Sequence, residues 1–457
     1  MRLPAAPEGV RRRVRAAGSE LGPLARFRER IAAGDLLRLR PRFRGRGLLA
    51  FLAVMGPGLI AGIAGNEAGG LTTYSVLGAE TGFRLLWLFP LTTVVLMIVQ
   101  EMAARLGVVT GQGLSDLIRD WFGVRWTAFA MLVLFVANLG QTIAEFAGIA
   151  AALEIFGLPR LLTVPLTAVA LWALVLFASY RTVERVFLSV ILVFVTYIVS
   201  AFVSGPDWGE VGRALVTPSF ELAPATLLLM VALVGTTITP YMQFYLQSAV
   251  AEKGIDEEEL RLEQADAVGG AIWTNVVALF VVVATAQTLH AAGVRITDAA
   301  DAAQALGPVA GELSTALFAI GLFGASVLAA MILPISTSFV ICEAFGWESG
   351  VGKPFREAPA FFGIYTVTLF AGAVIVLLPF LPPLIDVLLF TQNLQGLLLP
   401  IVLVFMFRLV NNERLLGRHV NGPIRNALTL AAIVLVVALD AILLGVGALE
   451  AIGLRLG

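Results

Sequence analysis

The dominant pattern along this chain is a repetition of apolar stretches, each long enough as a helix to cross roughly 30 Å of hydrocarbon, joined by short connections that hold most of the charge. About eleven follow one another from Leu49: 49–78, 85–106, 127–155, 161–179, 186–204, 224–249, 267–290, 313–345, 360–378, 384–409 and 424–449. The pattern predicts an all-α polytopic membrane protein. Residues 1–48 form a basic tail and residues 49–457 one transmembrane domain.

Two of these spans are interrupted. The first contains Gly65-Asn66-Glu67-Ala68-Gly69-Gly70, a carboxylate among helix breakers, and the sixth contains Gly235-Thr236-Thr237-Ile238-Thr239-Pro240. In hydrocarbon each freed backbone group and each ionised side chain costs several kilocalories, so such a break reads as a site. The breaks lie about five spans apart, as expected if spans one to five and six to ten are an inverted repeat with an eleventh appended. Paired broken helices of this kind place carbonyl oxygens and half-helix ends at the bilayer midplane, where they hold ions.

The side chains near the breaks define the candidate chemistry. Glu67 supplies an anionic oxygen, Thr236, Thr237 and Thr239 hydroxyl or carbonyl oxygens, Gln243 an amide, and Gln392 and Asn393 on span ten further amides. No sulfur and no imidazole is expected within reach on these segments. An all-oxygen set with one charge suits a hard divalent cation, and magnesium in particular tends to keep several waters. Thr239 and Gln243 serve equally as interhelical hydrogen-bonding groups. Glu145 in span three is either a proton or ion relay or a satisfied structural carboxylate. Glu101 and Arg105 read as an i,i+4 pair, Asp386 and Asp440 as interfacial, and the run 256–259 as the solvated face of a short helix.

Composition narrows the class further. The chain is 58% hydrophobic and only 14% charged, against about 25% charged in a soluble domain. A single cysteine, Cys342, excludes an internal disulfide and a cysteine metal cluster, and the only histidines are His290, at an outer span end, and His419, in a loop. No nucleophile with a base, phosphate loop or metal-histidine motif points to an enzyme. The arginine-rich residues 1–48 lack an apolar segment before Leu48, unlike a signal peptide. They read as a cytoplasmic tail that touches anionic lipid rather than nucleic acid. Basic residues in the even-to-odd loops, among them Arg119, Arg181, Lys253, Lys353 and Arg414, put the N-terminus inside and the C-terminus outside a plasma membrane.

Several motifs together resemble the Nramp divalent-metal transporters. They are Gly56-Pro57-Gly58, Glu67-Ala68-Gly69-Gly70, Gly82-Phe83-Arg84-Leu85-Leu86-Trp87, Ala104-Arg105-Leu106-Gly107-Val108-Val109-Thr110-Gly111, Phe156-Gly157-Leu158-Pro159 and Arg414-Leu415-Leu416-Gly417-Arg418-His419-Val420-Asn421. The resemblance implies a LeuT-like inverted repeat with broken helices 1 and 6. It also implies backbone carbonyl ligands at Ala64 and Thr236 and an amide ligand at Gln392.

The chain departs from the family where Asp-Pro-Gly-Asn is expected, since Glu67 keeps the acid and Gly70 lacks the amide. It departs again where the metal-binding methionine becomes Thr239 and the histidines become Tyr241 and Gln247, and where an acid before Glu145 becomes Thr142. Loss of the thioether removes the soft ligand, and loss of titratable groups argues against obligatory proton coupling. The pattern is similar to the Nramp-related magnesium transporters. The expected metal site is therefore Glu67, Gly70, Ala64, Thr236, Thr239, Gln243 and Gln392, with Glu145 as a possible relay. The expected function is import of Mg2+, and also Mn2+, by alternating access, with the metal as cargo and no resident cofactor. A monomer is plausible. The alternatives are a proton-coupled Mn2+/Fe2+ importer and a non-transporting membrane sensor on the same fold.

Overall fold

The computed structural model describes residues 67–177, 196–219, 223–255, 257–350 and 355–451. The basic tail, the first half of the first span with Ala64, Gly65 and Asn66, and most of the fifth predicted span lie outside the described residues. Regular structure among the described residues is entirely helical.

The principal helices are α1 (Ala68–Thr81), α2 (Leu88–Thr110), α3 (Leu114–Phe122), α4 (Val124–Glu154), α5 (Arg160–Phe177), α6 (Trp208–Val216), α7 (Pro224–Thr237), α8 (Pro240–Lys253), α9 (Leu260–Thr285), α10 (Ser314–Phe345), α11 (Pro359–Val376), α12 (Leu384–Val410) and α13 (Pro423–Ala451). Eight segments among the described residues are long and apolar enough to span a membrane, counting α7 and α8 as one, and α5 is a shorter apolar helix. With the partly described first and fifth spans, this is the expected eleven-span arrangement.

Why the chain breaks where it does follows from its local chemistry. Pro240 occupies the first position of α8, where its missing N–H costs nothing, and Thr239 before it is extended, as a residue preceding proline prefers to be. Glu67 is likewise extended and precedes α1 without a side-chain bond to its first turn. Span seven ends in a π-helical turn, Ala286–His290, that hydropathy does not signal. It sets His290 Nδ1 2.8 Å from Ala79 O at the end of α1. The connecting helices α3 and α6 are also additions to the predicted pattern.

Packing follows the proposed repeat. The second span packs on the seventh (α2 on α9), the third on the eighth (α4 on α10), and the fourth on the ninth (α5 on α11). Helix α4 is the shared wall, contacting α10, α11 and α12, while α1 and α7 both rest on α12.

Polar clamps close the end of the bundle that carries α3. Arg105, 1% exposed, bonds Glu101 Oε2 (3.0 Å), His419 O (2.6 Å) and Asn421 Oδ1 (2.6 Å), so the expected i,i+4 pair also anchors the loop before α13. Arg105→Leu strands these buried acceptors, and charge-assisted bonds contribute about 1.5–3 kcal/mol each. A loss of about 3 kcal/mol is expected, read as a lower melting temperature in detergent, and unchanged melting would refute the anchor.

On the neighbouring clamp, Glu343 Oε2 near the end of α10 accepts Ser115 Oγ of α3 (2.7 Å) and Ser248 Oγ of α8 (3.2 Å). Arg119 of α3 donates to the carbonyls of Glu343 (3.1 Å) and Ala344 (3.2 Å). Burial holds the Asp116 carboxyl on α3 above its usual range, although Arg119 lies 2.9 Å away.

The 256–259 run behaves as predicted over its described part: Glu257–Glu259 is a single 3-10 turn with Glu257 and Glu258 exposed and Glu259 half-buried, and Glu257 meets Arg418 and His419. Asp386 is exposed. Asp440, expected at an interface, is 7% exposed within α13, because that helix continues to Ala451 and turns this face toward its neighbours.

Candidate functional site

Helix α1, which begins beside Glu67, packs against α7, which ends at the second break. At that break, α7 ends at Thr237, Ile238 takes φ −124° and ψ 67°, and α8 restarts at Pro240. The helical donor that would bond the Thr236 carbonyl belongs to residue 240, and proline has no N–H, so that carbonyl is released from the helix by sequence alone. The Thr239 carbonyl accepts Met242 N at 3.2 Å and the Gln243 amide at 3.5 Å.

Around these backbone groups stands a cluster of buried oxygens. Glu67 is 3% exposed, while Glu145, Thr236, Thr237, Thr239, Gln243 and Gln392 are fully buried. Both carboxylate oxygens of Glu67, Glu145 Oε2, the three threonine hydroxyls, Gln243 Oε1 and Gln392 Oε1 have no hydrogen-bond partner. A buried polar atom left unpaired costs about 1–3 kcal/mol, more for a charge, so this cluster of oxygens is where a bound cation would repay the most. Glu67 and Glu145 lie within electrostatic reach of one another, with Gln141 beside both. The backbone N–H of Ala68, at the positive end of α1, faces Glu145.

Of the predicted residues, then, the structure sets Glu67 beside Glu145, packs Gln392 against Gly69 and against Gly235, the neighbour of Thr236, and bonds Gln243 to Thr239 O. Gly70 lies buried in the first turn of α1, and Ala64 falls outside the described residues. A side chain at Gly69 rather than Gly70 would collide with the Gln392 amide, so the glycine pair serves partly to let α12 approach α1. Asn393 is turned aside, its amide donating to Leu389 O at 3.0 Å.

A sulfur does lie on the second half of the sixth span, Met242 of α8, fully buried, with Sδ engaged 4.0 Å from Gln100 Nε2 of α2.

Sequence reading also missed Gln141, Gln395 and Tyr74. Gln141 Nε2 donates to Glu145 Oε1 (3.1 Å), and its Oε1 accepts Gln392 Nε2 (3.1 Å) and Gln395 Nε2 (3.4 Å). The Tyr74 hydroxyl lies beside Thr236 and Thr237. The signal for Gln141 was present: Asn138, Gln141, Thr142 and Glu145 recur at helical spacing on an otherwise apolar span, and all four are buried on one face. The arrangement offers several neutral oxygens and one or two carboxylates without imidazole, a donor set for a hard cation.

Comparison with known proteins gives an independent line. The family model described as natural resistance-associated macrophage protein-like, Nramp, matches residues 58–445. The divalent metal cation transporter MntH of Granulibacter bethesdensis is 25% identical over 427 residues, covering 89% of this chain and 92% of that protein. Among solved structures, the Eremococcus coleocola manganese transporter superposes with a TM-score of 0.70 at 21% identity, covering 87% of each chain. MhsT in complex with L-phenylalanine superposes with a TM-score of 0.51 at 14% identity, covering 88% of this chain and all of that one. These likenesses show the LeuT-like fold expected from the two broken helices.

Proposed function

The chain belongs to the Nramp family, and from that premise we propose that it is a membrane transporter of divalent metal ions that takes up Mg2+, and also Mn2+, by alternating access without obligatory proton coupling. The divalent-metal part of this reading is supported by the MntH relatives over most of their length. The preference for a hard ion rests on one observation, the set of unpartnered buried oxygens contributed by Glu67, Thr236, Thr239, Gln243 and Gln392. A thioether at position 239 would favour softer ions, and a threonine leaves that bias out. Its smaller volume, with Gly70 opposite, leaves room for an ion that keeps part of its water. The protein acts in the plasma membrane with its N-terminus in the cytoplasm, as the distribution of arginine and lysine favours.

Reconstitution of the full chain into liposomes tests the reading. Saturable Mg2+ uptake, inhibited by Mn2+ and without acidification of the lumen, is expected. Transport of Mn2+ or Fe2+ with no response to Mg2+ would overturn the ion assignment.

One observation favours a second reading, a proton-coupled Mn2+/Fe2+ importer. Glu145 Oε2 is buried without a partner and close to Glu67, a position from which a carboxylate could carry a proton. Lumenal acidification that tracks metal entry would select it. Absence of any isotope exchange across the membrane would select instead a sensor built on the transporter fold.

A further inference from the structure

Four side chains on α4 and α12 form a chain of hydrogen bonds whose direction is fixed at one end. Gln395 on α12 approaches Ala137 O of α4 at 2.6 Å, and a carbonyl can only accept, so the Gln395 group there is its NH2. That same NH2 lies 3.4 Å from Gln141, which must present its oxygen in return. With its oxygen so placed, Gln141 turns its own NH2 to Glu145 Oε1, 3.1 Å away. Gln392, meeting the same Gln141 oxygen at 3.1 Å, is obliged to supply NH2, and its carbonyl oxygen is left facing away from the chain, buried and without a partner. Gly69 completes the fit, since any Cβ there would fall on the Gln392 nitrogen.

We infer that Gln141 and Gln395 are positioning residues for the metal site: they fix the Gln392 amide with its oxygen, not its NH2, toward the ion. This deepens the proposed transport function and rests on that reading of Gln392. The physical need is specific. An amide is nearly symmetric in shape, and a flipped Gln392 would aim two N–H donors at a cation. Within a helical bundle nothing steric distinguishes the two orientations, so the choice must be made by hydrogen-bond polarity, and here it is referred back to one main-chain carbonyl. Groups that orient a ligand without touching the metal commonly govern affinity about 10–100-fold.

The experiment measures Mn2+ binding to the purified full chain in detergent by calorimetry, together with the KM and maximal rate of uptake in liposomes. Gln395→Met keeps the volume and removes the anchor, and Gln392→Leu removes the ligand without supplying another donor. Each is expected to weaken binding and raise KM about tenfold with little change in maximal rate. The double variant is expected to bind no more weakly than Gln392→Leu alone, because the anchor acts only through that ligand. A role in packing alone would lower the melting temperature and the yield yet leave KM where it was. Should Gln395→Met fail to fold, Gln395→Glu, which cannot donate to Ala137 O while ionised, is expected to give the same tenfold loss. Weakened binding in Gln392→Leu with unchanged binding in the Gln395 variants, or additive losses in the double variant, overturns the inference alone. A wild-type chain that binds no divalent ion overturns it together with the transport reading.

Discussion

Glu67→Ala is expected to abolish metal uptake into liposomes while the protein still folds. The carboxylate is the anionic group at the first break, 3% exposed, with both oxygens unpartnered. At an effective dielectric constant of about 20, a divalent ion about 3 Å from a carboxylate gains about 10 kcal/mol before desolvation is subtracted. Tenfold in binding is only about 1.4 kcal/mol, so even a modest surviving fraction of that attraction amounts to at least about a hundredfold in affinity. The effect on stability has the opposite sign. Removing a buried carboxyl group whose oxygens have no partner relieves a desolvation cost, so the metal-free variant should melt no lower than the wild type. Added Mg2+ or Mn2+ should raise the melting temperature of the wild type and leave that of Glu67→Ala unmoved. Full uptake by the variant removes Glu67 from the site. Loss of uptake with a collapsed metal-free melting temperature makes it structural instead.

The second large effect comes from a residue with no side chain. Gly235 on α7 lies so close to α12 that a Cβ would fall on Gln392 O and Gly396 N, both main-chain atoms that cannot swing aside. Gly396 answers from α12, where a Cβ would meet Val231 Cγ1 at 2.8 Å and Val231 O at 2.9 Å. Small residues of this kind let membrane helices approach backbone to backbone. Gly235→Leu is therefore expected to force α7 away from α12, lowering the melting temperature and removing uptake together, because Thr236 and Gln392 are carried on the two helices that separate. Overpacking costs typically about 1–3 kcal/mol where side chains can adjust, and more is expected where they cannot. Gly363→Leu is the control, since nothing lies within 4 Å of a Cβ there. Equal behaviour of the two variants would show that the close approach is unimportant.

The second break could be read in the chain because its cause is local. Pro240 acts on the backbone within a turn of itself, and Thr237 and Pro240 bound the sixth-span gap where the sequence placed it, whereas Gly69 and Gly70, counted in the first break, are already helical in α1. Span boundaries were legible for a similar reason, since hydropathy over a helix length is a sum over neighbours. The relay through Gln141 was not legible, although its residues were in view. It depends on how α4 sits against α12, a register between positions some 250 residues apart, and an average over all faces of a helix contains no such term. Asp440 was misplaced by the same averaging: closeness to a predicted span end says nothing about which way a residue faces. The engagement of Met242 by Gln100 is likewise a matter of which helix stands opposite.

The Glu343 clamp sets a condition on any motion of the bundle. Ser248 belongs to α8, the half-helix that follows the second break, and Ser115 to the connecting helix α3, and both are held by one carboxylate oxygen of α10. If α8 swings outward while α10 stays, the Ser248 bond breaks, along with the bond from Gln247 Nε2 to Gln112 O at 3.1 Å. A hydrogen bond to a charged group contributes about 1.5–3 kcal/mol and one between neutral groups about 1 kcal/mol. Together they oppose such a movement by roughly a hundredfold to a thousandfold in population, and on the transport reading proposed above the difference in ion affinity between the two forms has to exceed that amount.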